Sequence, residues 1–403
     1  MSTSDMLDNI SRKFNEATVH AFELLNQSIK VRTFFVSRTT EETFSVLKVF
    51  KKVGGCFINE GRTIPLQESY CSLIFSGSRE PLMIEDSSSH PIVSKLDATY
   101  RSNIGSYLGV PILLEDNTMF GTLCAADPSP YKFTKEDIEL MQTLANFIGN
   151  AIELGQAYEK ILAEEQRVKK ELDIAKKVQT SVLSKPVTSE NINIHAFYQS
   201  SESLSGDMYC WFEISPNKYG IILLDVMGHG VSAALISMSI RSLLRGLITT
   251  VSEPTEVIKE LNYHIFQLFN ANQQSTYATA IYMVVDTELK TIEYVNAGHP
   301  AGLLFLDHSK IERMDEGCLL LGIFPDVKVT KRQFKYKDPS TILFYTDGII
   351  ELIHPVINNG IQILENLLAT QPDNMRLIEE IQSKYVNEKI LKDDVCLLSV
   401  NVK

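Results

Sequence analysis

The sequence lacks closely spaced cysteine and histidine pairs. Six cysteines are scattered over 403 residues, with no CxxC pair and no close His–Cys cluster. Structural zinc sites normally need such spacing, and disulfide frameworks are typical of short, cysteine-dense secreted chains. Neither is expected here, and a reducing compartment is indicated. The cysteines are Cys56, Cys71, Cys124, Cys210, Cys318 and Cys396.

An excess of positive charge is also lacking. Fifty acidic residues against 38 basic ones give a net charge of −12 at pH 7, which argues against a nucleic-acid partner. No uninterrupted apolar run approaches the roughly 18–20 residues that span a bilayer, and the N-terminus lacks the basic and apolar regions of a signal peptide. The sequence therefore predicts a soluble, cytoplasmic protein with no membrane partner.

The length of the chain predicts two domains and a linker. Residues 1–153 alternate short apolar strands with turns, include the hairpin pattern VPILLEDNTMFGTLCAAD, and end in an amphipathic helix. Thr134 is the predicted N-cap of that helix, with Asp137 in its first turn. This part of the chain predicts an α+β domain with an antiparallel sheet.

A heptad pattern occupies residues 154–186. It predicts a parallel two-stranded coiled coil, and hence a homodimer in which the coil links the two domains. The alternative is a single charged helix between domains, which Glu165 and Gln179 favour because they are polar at seam positions. Pro186 is expected to mark the end of the helix. The seam positions are Leu154, Tyr158, Ile161, Glu165, Val168, Leu172, Ala175, Gln179 and Val182.

Residues 187–403 form the predicted second domain. Several of its strand-like runs, such as YGIILLDV and TILFYTDG, are almost wholly apolar, and helical stretches lie between them at 231–245, 253–269 and 375–385. Strands that are apolar on both faces need cover on both faces. Two facing sheets with helices outside would provide it.

Aspartates stand at the ends of these predicted strands. Asp225 closes GIILL, Asp347 follows TILFYT, Asp207 precedes MYCWFEI, and Asp393 and Asp394 precede the last strand. A carboxylate beside apolar strands is costly to desolvate unless a cation meets it. Asp-Gly alone is foremost a turn dipeptide, but the set predicts a site for Mg²⁺ or Mn²⁺ rather than zinc. A P-loop is excluded, because DVMGHGVSAAL has no lysine at the required spacing.

Six motifs in order resemble the PPM-type (protein phosphatase 2C-like) serine phosphatases of the bacterial SpoIIE/RsbU branch. They are SGD at 205–207, LLDVMGHGVSAAL at 223–235, VNAGHPAGLLF at 295–305, LGIFPD at 321–326, FYTDGIIE at 344–351 and KDDVCLLSV at 392–400. The resemblance implies an αββα sandwich with two Mn²⁺ or Mg²⁺ ions. It also implies signal-regulated hydrolysis of phosphoserine or phosphothreonine on a partner protein, by a water that both ions activate. By the same resemblance, the partner is a phosphorylated anti-sigma factor antagonist.

The resemblance also implies a ligand set. Asp225 would bridge both ions, the carbonyl of Val226 would ligate one of them, and Asp207 would hold the first ion. Asp347 and the Asp393/Asp394 pair would hold the second, with Asp393 preferred over Asp394. The implied catalytic residues are Asp207, Asp225, Asp347 and Asp393.

Three departures from the family pattern keep an alternative open. Ser205 stands where glycine is common in the first motif, Cys210 where a second aspartate is common, and Cys396 where threonine is common. Cys210 and the altered first motif favour a catalytically weak pseudo-phosphatase that acts as a partner-binding switch. A two-metal enzyme acting on nucleotides is a further alternative, although no base-recognition motif supports it. His299 could protonate the leaving oxygen, but for both His299 and His229 a structural role in the loop is the favoured interpretation.

The first domain resembles a GAF sensor domain over about residues 18–155. ESYCSLIFSGSREPLMIED, GSYLGVPILLEDNTMFGTLCAAD and FTKEDIELMQTLANFIGNAIE stand in the order typical of such domains. The identity of a GAF ligand cannot be read from these residues. Cys71 is open to a covalent or redox role, but a small buried residue is the favoured interpretation.

Overall fold

The computed structural model describes residues 3–271, 276–387 and 389–403. The chain divides into two compact units between Arg167 and Val168. That division falls inside helix α4 (Lys135–Ser181), which occupies most of the predicted linker. The bounds 1–153, 154–186 and 187–403 stay predictions.

The first unit is built on one antiparallel sheet. Its elements are α1 (Thr3–Ser28), β1 (Thr33–Thr39), β2 (Thr43–Lys51), β3 (Thr63–Pro65), α2 (Cys71–Phe75), β4 (Leu82–Ile84), α3 (Asp97–Arg101), β5 (Ser106–Leu113), β6 (Met119–Asp127) and the start of α4. The strand order is β3-β2-β1-β6-β5-β4. The predicted hairpin is β5–β6, which pair in antiparallel register. The prediction of an α+β unit is confirmed.

Two apolar cores lie on the two faces of this sheet. Side chains of α1 and α4, among them Leu25 and Ile148, cover one face. The other face is covered by α2 and the loops around it, with Tyr70 and Tyr107 in the core. Both faces of the central strands are therefore buried, which explains why β5 and β6 read as almost continuous apolar runs.

The N-terminus of α4 follows the predicted capping pattern. The Asp137 carboxylate accepts hydrogen bonds from the backbone N–H of Thr134 at 2.8 Å and from its hydroxyl at 3.1 Å. A carboxylate at the third helical position that reaches back to the N-cap amide satisfies a donor the helix cannot use itself. The prediction of Thr134 as N-cap is confirmed.

The second unit contains two six-stranded sheets. Its elements are β7 (Val187–Thr188), β8 (Ile192–Gln199), β9 (Met208–Ser215), β10 (Lys218–Val226), α5 (Val231–Thr250), α6 (Pro254–Ala271), β11 (Ala278–Asp286), β12 (Thr291–Ala297), β13 (Gly302–Leu306), β14 (Lys310–Met314), β15 (Gly317–Cys318), β16 (Arg332–Lys335), β17 (Ser340–Tyr345), α7 (Asp347–Ile353), α8 (Ile357–Thr370), α9 (Asn374–Ile381) and β18 (Val395–Val402). The first sheet has the order β15-β12-β11-β10-β9, with β16 beside β12; the second has the order β14-β13-β17-β18-β8-β7.

The two sheets pack face to face with helices outside. Leu223 and Met283 of the first sheet share one buried core with Phe344 and Leu398 of the second. Helices α5 and α6 cover the outer face of the first sheet, and α7, α8 and α9 cover that of the second. Alternate residues of the central strands thus enter different cores. The predicted αββα layering is confirmed.

One helix within the described ranges, α5, is long and apolar enough to cross a membrane by length and composition. It nevertheless packs as an outer-layer helix of the sandwich. Ile240, Leu244 and Ile248 are buried beside Ile222 and Leu224 of β10. This core accounts for the buried face of α5, while Val231 and Leu235 on the helix are exposed.

The C-terminal end of α4 differs from the predicted seam. The helix ends at Ser181, five residues before Pro186. Gln179, assigned to the seam, is only 2% exposed and contacts its own unit, so its predicted position facing a second helix is wrong. Earlier in the helix, the predicted seam residues Leu154, Tyr158 and Ile161 are well exposed.

Candidate metal centre

The two sheets each bring two aspartates to strand ends. Asp207 directly precedes β9 and Asp225 is the penultimate residue of β10; since Met208 lies opposite Leu224, both aspartates lie at one end of the first sheet. In the second sheet Asp347 follows β17 and Asp394 precedes β18, where Tyr345 lies opposite Leu397. Antiparallel pairing thus explains why residues distant in sequence meet.

The Asp394 side chain links the second sheet to the loop that precedes β9 of the first sheet. Its Oδ1 accepts hydrogen bonds from the backbone N–H of Ser201 at 2.8 Å and from the Ser201 hydroxyl at 2.9 Å. Its Oδ2 accepts one from the N–H of Gly206 at 2.9 Å. This 3% exposed carboxylate therefore holds the loop that leads into Asp207. Asp393 is less buried, and its Oδ1 accepts a hydrogen bond from the N–H of Asp394 at 2.7 Å.

Asp207 carries the clearest signal for a cation. Its side chain is 3% exposed, and its Oδ2 has no hydrogen-bond partner among the described residues. Burial, then the charges of Asp225 and Asp394, raise the pKa of Asp207 well above its ordinary value. A buried carboxylate oxygen without a partner is costly unless a cation or a proton compensates it.

The pKa values of the neighbouring carboxylates are raised as well. Burial, then the charges of Asp347 and Asp393, raise the pKa of Asp225 to about 7. Burial and the charge of Asp393 also raise the pKa of Asp347. Within residues 3–271, 276–387 and 389–403, no lysine or arginine forms an ion pair with any of these aspartates or with Asp394. The cluster therefore has an excess of negative charge that a divalent cation would neutralise.

The donor set suits a hydrated cation. In the described part of the chain, no group of three or more His, Cys, Asp or Glu side chains is arranged so that it could hold a metal ion, so a cation here would be held by fewer carboxylates. Mg²⁺ in proteins is typically held by one or two carboxylates and keeps several waters, whereas a structural zinc ion needs a closed set of protein ligands. The cluster fits Mg²⁺ or Mn²⁺ with water completing the coordination.

Close backbone packing surrounds the carbonyl of Val226. A Cβ placed on Gly206 would lie 2.7 Å from Val226 O and 3.0 Å from Gly228 O. Only glycine allows the loop before Asp207 to approach the end of β10 this closely. Gly348 is similarly constrained, since its Cβ would lie 2.1 Å from the carbonyl oxygen of Asp394. The carbonyl of Val226 thus borders the loop that carries Asp207.

His299 is a buried, neutral residue beside the cluster. Its Nδ1 lies 2.8 Å from the hydroxyl of Thr279, a residue that stands opposite Asp225 on β11, and its backbone N–H donates to Asn296 Oδ1 at 2.8 Å. Burial lowers the pKa of His299 to about 3. A neutral imidazole fixed in this way suits a structural role better than proton donation. His229 is exposed and lies 3.0 Å from Glu202 Oε1.

Gln179 is a residue that the motifs did not single out. Its Nε2 donates to the carbonyl of Ser205 at 2.7 Å, and its Oε1 accepts from the N–H of Ser205 at 3.2 Å. The hydroxyl of Ser205 in turn accepts from the N–H of Asp207 at 3.1 Å. In the sequence, the sign of a different role for Gln179 was that a polar residue stands at an apolar heptad position.

The two cysteines that depart from the family pattern are both buried. Cys210 points into the core under α5, and burial raises the pKa of its thiol to about 12. Cys396 lies in the core between the sheets, and its backbone N–H donates to the hydroxyl of Thr346 at 3.0 Å. Cys210 therefore packs on the helix-covered side of β9, whereas the buried residues Tyr209 and Trp211 point to the other side.

Comparison with known families finds a match within each unit. Residues 215–403 match the family model Stage II sporulation protein E (SpoIIE), and residues 39–152 match the GAF domain. Both resemblances drawn from the motifs are confirmed.

Two curated relatives come from Bacillus subtilis (strain 168). Phosphoserine phosphatase RsbP is 36% identical over 241 residues, which cover 58% of this chain and 58% of the relative. Phosphoserine phosphatase RsbU is 27% identical over 266 residues, which cover 64% of this chain and 74% of the relative. The chain therefore spans little more than half the length of RsbP. Among solved structures, the SiaA-PP2C domain of Pseudomonas aeruginosa is 18% identical with a TM-score of 0.49, covering 60% of this chain and 99% of that domain.

Proposed function

We propose that this chain, a GAF domain followed by a SpoIIE-type domain, is a signal-regulated, metal-dependent protein serine/threonine phosphatase. The observation that carries the proposal is the unpartnered, buried Oδ2 of Asp207 within a cluster of aspartates that no lysine or arginine neutralises in the described residues. The relatives named phosphoserine phosphatase support the same activity.

The proposed ligands are those the motifs imply. Asp225, Asp207 and the carbonyl of Val226 would hold one Mn²⁺ or Mg²⁺ ion, and Asp347 and Asp393, together with Asp225, would hold a second. When bound, the two ions lower the pKa of a shared water and neutralise the phosphate oxygens. Asp394 holds the loop that positions Asp207.

The remaining residues act by positioning. His299, neutral and fixed by Asn296, orients the hydroxyl of Thr279 beside Asp225. Gln179 fixes Ser205, and through it the backbone of Asp207. These contacts reduce the freedom of the carboxylates before a substrate arrives, which is how a rigid site avoids reorganisation during the reaction.

The proposed substrate is phosphoserine or phosphothreonine on a partner protein in the cytoplasm, with a phosphorylated anti-sigma factor antagonist as the specific candidate. The GAF domain receives the signal, and α4 connects it to the phosphatase domain. The exposed apolar residues Leu154, Tyr158 and Ile161 support a homodimer through α4, because such a stripe on a long helix is favourable only when a partner covers it.

The test is phosphate release from p-nitrophenyl phosphate and from a phosphoserine protein, with Mn²⁺ and with Mg²⁺. Wild type is compared with Asp225→Asn, Asp347→Asn and the control Asp338→Asn, which changes an exposed aspartate outside the cluster. We expect turnover to be lost in the first two variants and kept in the control. Turnover that survives in Asp225→Asn and Asp347→Asn would contradict the proposed centre.

The pseudo-phosphatase alternative keeps one observation in its favour. Cys210, at the position where a second aspartate is common, faces the helix-covered core. Wild-type protein that binds a phosphorylated partner but releases no phosphate with either ion would favour this alternative. Faster turnover of nucleotides than of phosphoserine protein would instead favour a nucleotide-hydrolysing enzyme.

A further inference from the structure

Two cysteines of the first unit lie side by side in its core. Cys71 is the first residue of the short helix α2, and Cys124 lies in β6. Their sulfur atoms are 3.9 Å apart, and both side chains are almost completely buried. The two residues are 53 positions apart in sequence.

The thiols share a small polar network. The hydroxyl of Thr122 lies 3.0 Å from Cys71 Sγ and 3.1 Å from Cys124 Sγ. The hydroxyl of Tyr107 lies 3.4 Å and 3.1 Å from the same two atoms, and the hydroxyl of Ser37 lies 2.6 Å from that of Thr122. A cysteine that only fills space needs none of these partners. The network is a local polar site inside an otherwise apolar core.

A pocket reaches this site. Its volume is about 50 Å³, which is room for a molecule of a few non-hydrogen atoms. Cys71, Tyr70 and Tyr107 line one part of it, and Phe35, Phe44 and Ile58 line another. The size and mostly apolar walls favour a small neutral molecule and exclude glutathione or a protein thiol.

We propose that Cys71 and Cys124 form a redox pair that reacts with a small hydroperoxide in this pocket. Cys71 gives up its thiol proton and its sulfur attacks one peroxide oxygen, the O–O bond breaks, and the departing oxygen takes up that proton to leave as water or an alcohol. Cys71 becomes a sulfenic acid. The sulfur of Cys124 then attacks Cys71 Sγ, the S–O bond breaks, and the hydroxide leaves with the Cys124 proton as water. Two thiols are oxidised to one disulfide while one hydroperoxide is reduced.

The electrostatics assign different roles to the two thiols. Burial raises the pKa of Cys71, but hydrogen bonds from Cys124, Thr122 and Tyr107 outweigh burial, and the pKa is lowered overall. Burial and the neighbouring Cys71 raise the pKa of Cys124 well above its ordinary value. Cys71 lines the pocket and meets the hydroperoxide there, so it is the nucleophile, and Cys124 reacts in the second step.

Closing the bond requires a local shift. A disulfide has a sulfur separation of about 2.05 Å, so the two atoms must approach each other from 3.9 Å. Cys124 lies in β6, which is paired on both sides by β1 and β5. Helix α2 has only five residues, so it is the element that moves, and it carries part of the pocket wall with it.

The experiment uses the full-length wild-type chain. It is exposed to hydrogen peroxide, blocked with N-ethylmaleimide and digested with trypsin. Trypsin places the two cysteines on separate peptides, since Cys71 lies between Arg62 and Arg79 and Cys124 between Arg101 and Lys132. We expect loss of two thiols, recovery of the Cys71–Cys124 linked peptide, and reversal by dithiothreitol.

Variants test the order of the steps. With Cys124→Ala, dimedone added in denaturant after the peroxide has been removed should label Cys71, because no second thiol can resolve the sulfenic acid. Cys71→Ser should abolish both the label and the disulfide. Cys56→Ala is the matched control: Cys56 is equally buried in the same unit, and its Sγ contacts the carbonyl of Asn103 at 3.4 Å. This variant should form the disulfide at the wild-type rate.

Peptide mapping of wild type decides the matter even if a variant fails to fold. Oxidation of the half-buried Cys318 with Cys71 and Cys124 left as free thiols would overturn the proposal. Formation of the linked peptide only in denaturant would overturn it as well. The pair belongs to the GAF domain, so the outcome is independent of phosphatase activity.

Discussion

Gln179 forms hydrogen bonds with the backbone of Ser205 through both the nitrogen and the oxygen of its side-chain amide. Nε2 donates to the Ser205 carbonyl at 2.7 Å, while Oε1 accepts from the Ser205 N–H at 3.2 Å and from the Tyr198 hydroxyl at 3.3 Å. Ser205 also holds the backbone of Asp207. The last turn of α4 is therefore bonded to the loop of a proposed metal ligand. A displacement of this turn would be transmitted to Asp207 through two hydrogen-bonded residues.

We expect Gln179→Ala to weaken both stability and cation binding. The substitution leaves the buried N–H and C=O of Ser205 without partners, which costs about 1–3 kcal/mol of unfolding free energy. Looser positioning of Asp207 should also raise the Mn²⁺ concentration needed for half-maximal turnover. The measurements are urea unfolding and a Mn²⁺ titration of phosphate release. Gln166→Ala, on an exposed position of the same helix, is the control and should leave both unchanged.

Alanine substitutions at two glycines should have opposite effects on stability, one in the tightly packed loop before Asp207 and one at an exposed helix position. Gly206→Ala places a methyl group 2.7 Å from the carbonyl oxygen of Val226, and such overpacking costs about 1–3 kcal/mol. Gly246 lies on an exposed position of α5, where a methyl group added to its Cα would meet no neighbouring element within 4 Å. Gly246→Ala should therefore stabilise the protein by about 0.5–1 kcal/mol. Thermal melting and turnover test both. Equal melting temperatures for the two variants would contradict the close approach of the loop.

Asp393→Asn should mainly affect cation binding, whereas Asp394→Asn should mainly affect stability. Asp394 accepts three hydrogen bonds that hold residues 201–206, and an asparagine has one acceptor oxygen where the carboxylate has two. We expect Asp394→Asn to lower the unfolding free energy by about 1–3 kcal/mol and to keep the number of bound ions. Asp393→Asn should lose one Mn²⁺ with little change in stability. Calorimetric titration with Mn²⁺ counts the ions, and the reverse pattern would exchange the two roles.

The sequence was most informative where the chemistry is local. Asp225 and Asp347 were found because apolar runs stop at them, and Thr134 because a capping pattern spans only three residues. The contacts of Asp394 with Gly206 and of Cys71 with Cys124 join residues 188 and 53 positions apart, so no local pattern records them. Gln179 was misassigned for a related reason. A heptad gives the face of a helix but not whether that face meets a second chain or its own domain.

Dimerisation through α4 is expected to depend on Ile161. This residue is 64% exposed, and a glutamate there would place like charges at the seam of two facing helices. Ile161→Glu should therefore yield a monomer in sedimentation equilibrium where wild type is a dimer. Gln166→Glu introduces the same charge away from the seam and should stay dimeric. A monomeric wild type would favour the single charged helix.

His299 provides a pH-dependent prediction with a defined sign. Its folded pKa of about 3 lies below the ordinary value of 6.5, so below pH 6.5 the unfolded chain binds a proton that the folded chain does not. Burial of the neutral His299 side chain therefore makes its full contribution to stability above pH 6.5, and this contribution is lost as the pH falls toward 3. His299→Asn keeps a side-chain amide near the Thr279 hydroxyl but has no titrating group.

The comparison is between wild type and His299→Asn in urea at pH 7.5, 6.5 and 5.5. Between pH 6.5 and 5.5, the unfolding free energy of wild type should fall by about 1 kcal/mol more than that of His299→Asn. Effects of the aspartates cancel, because both chains contain them. A difference that is constant over this range would mean that folded His299 takes up a proton near pH 6, and proton donation by this residue would then regain support.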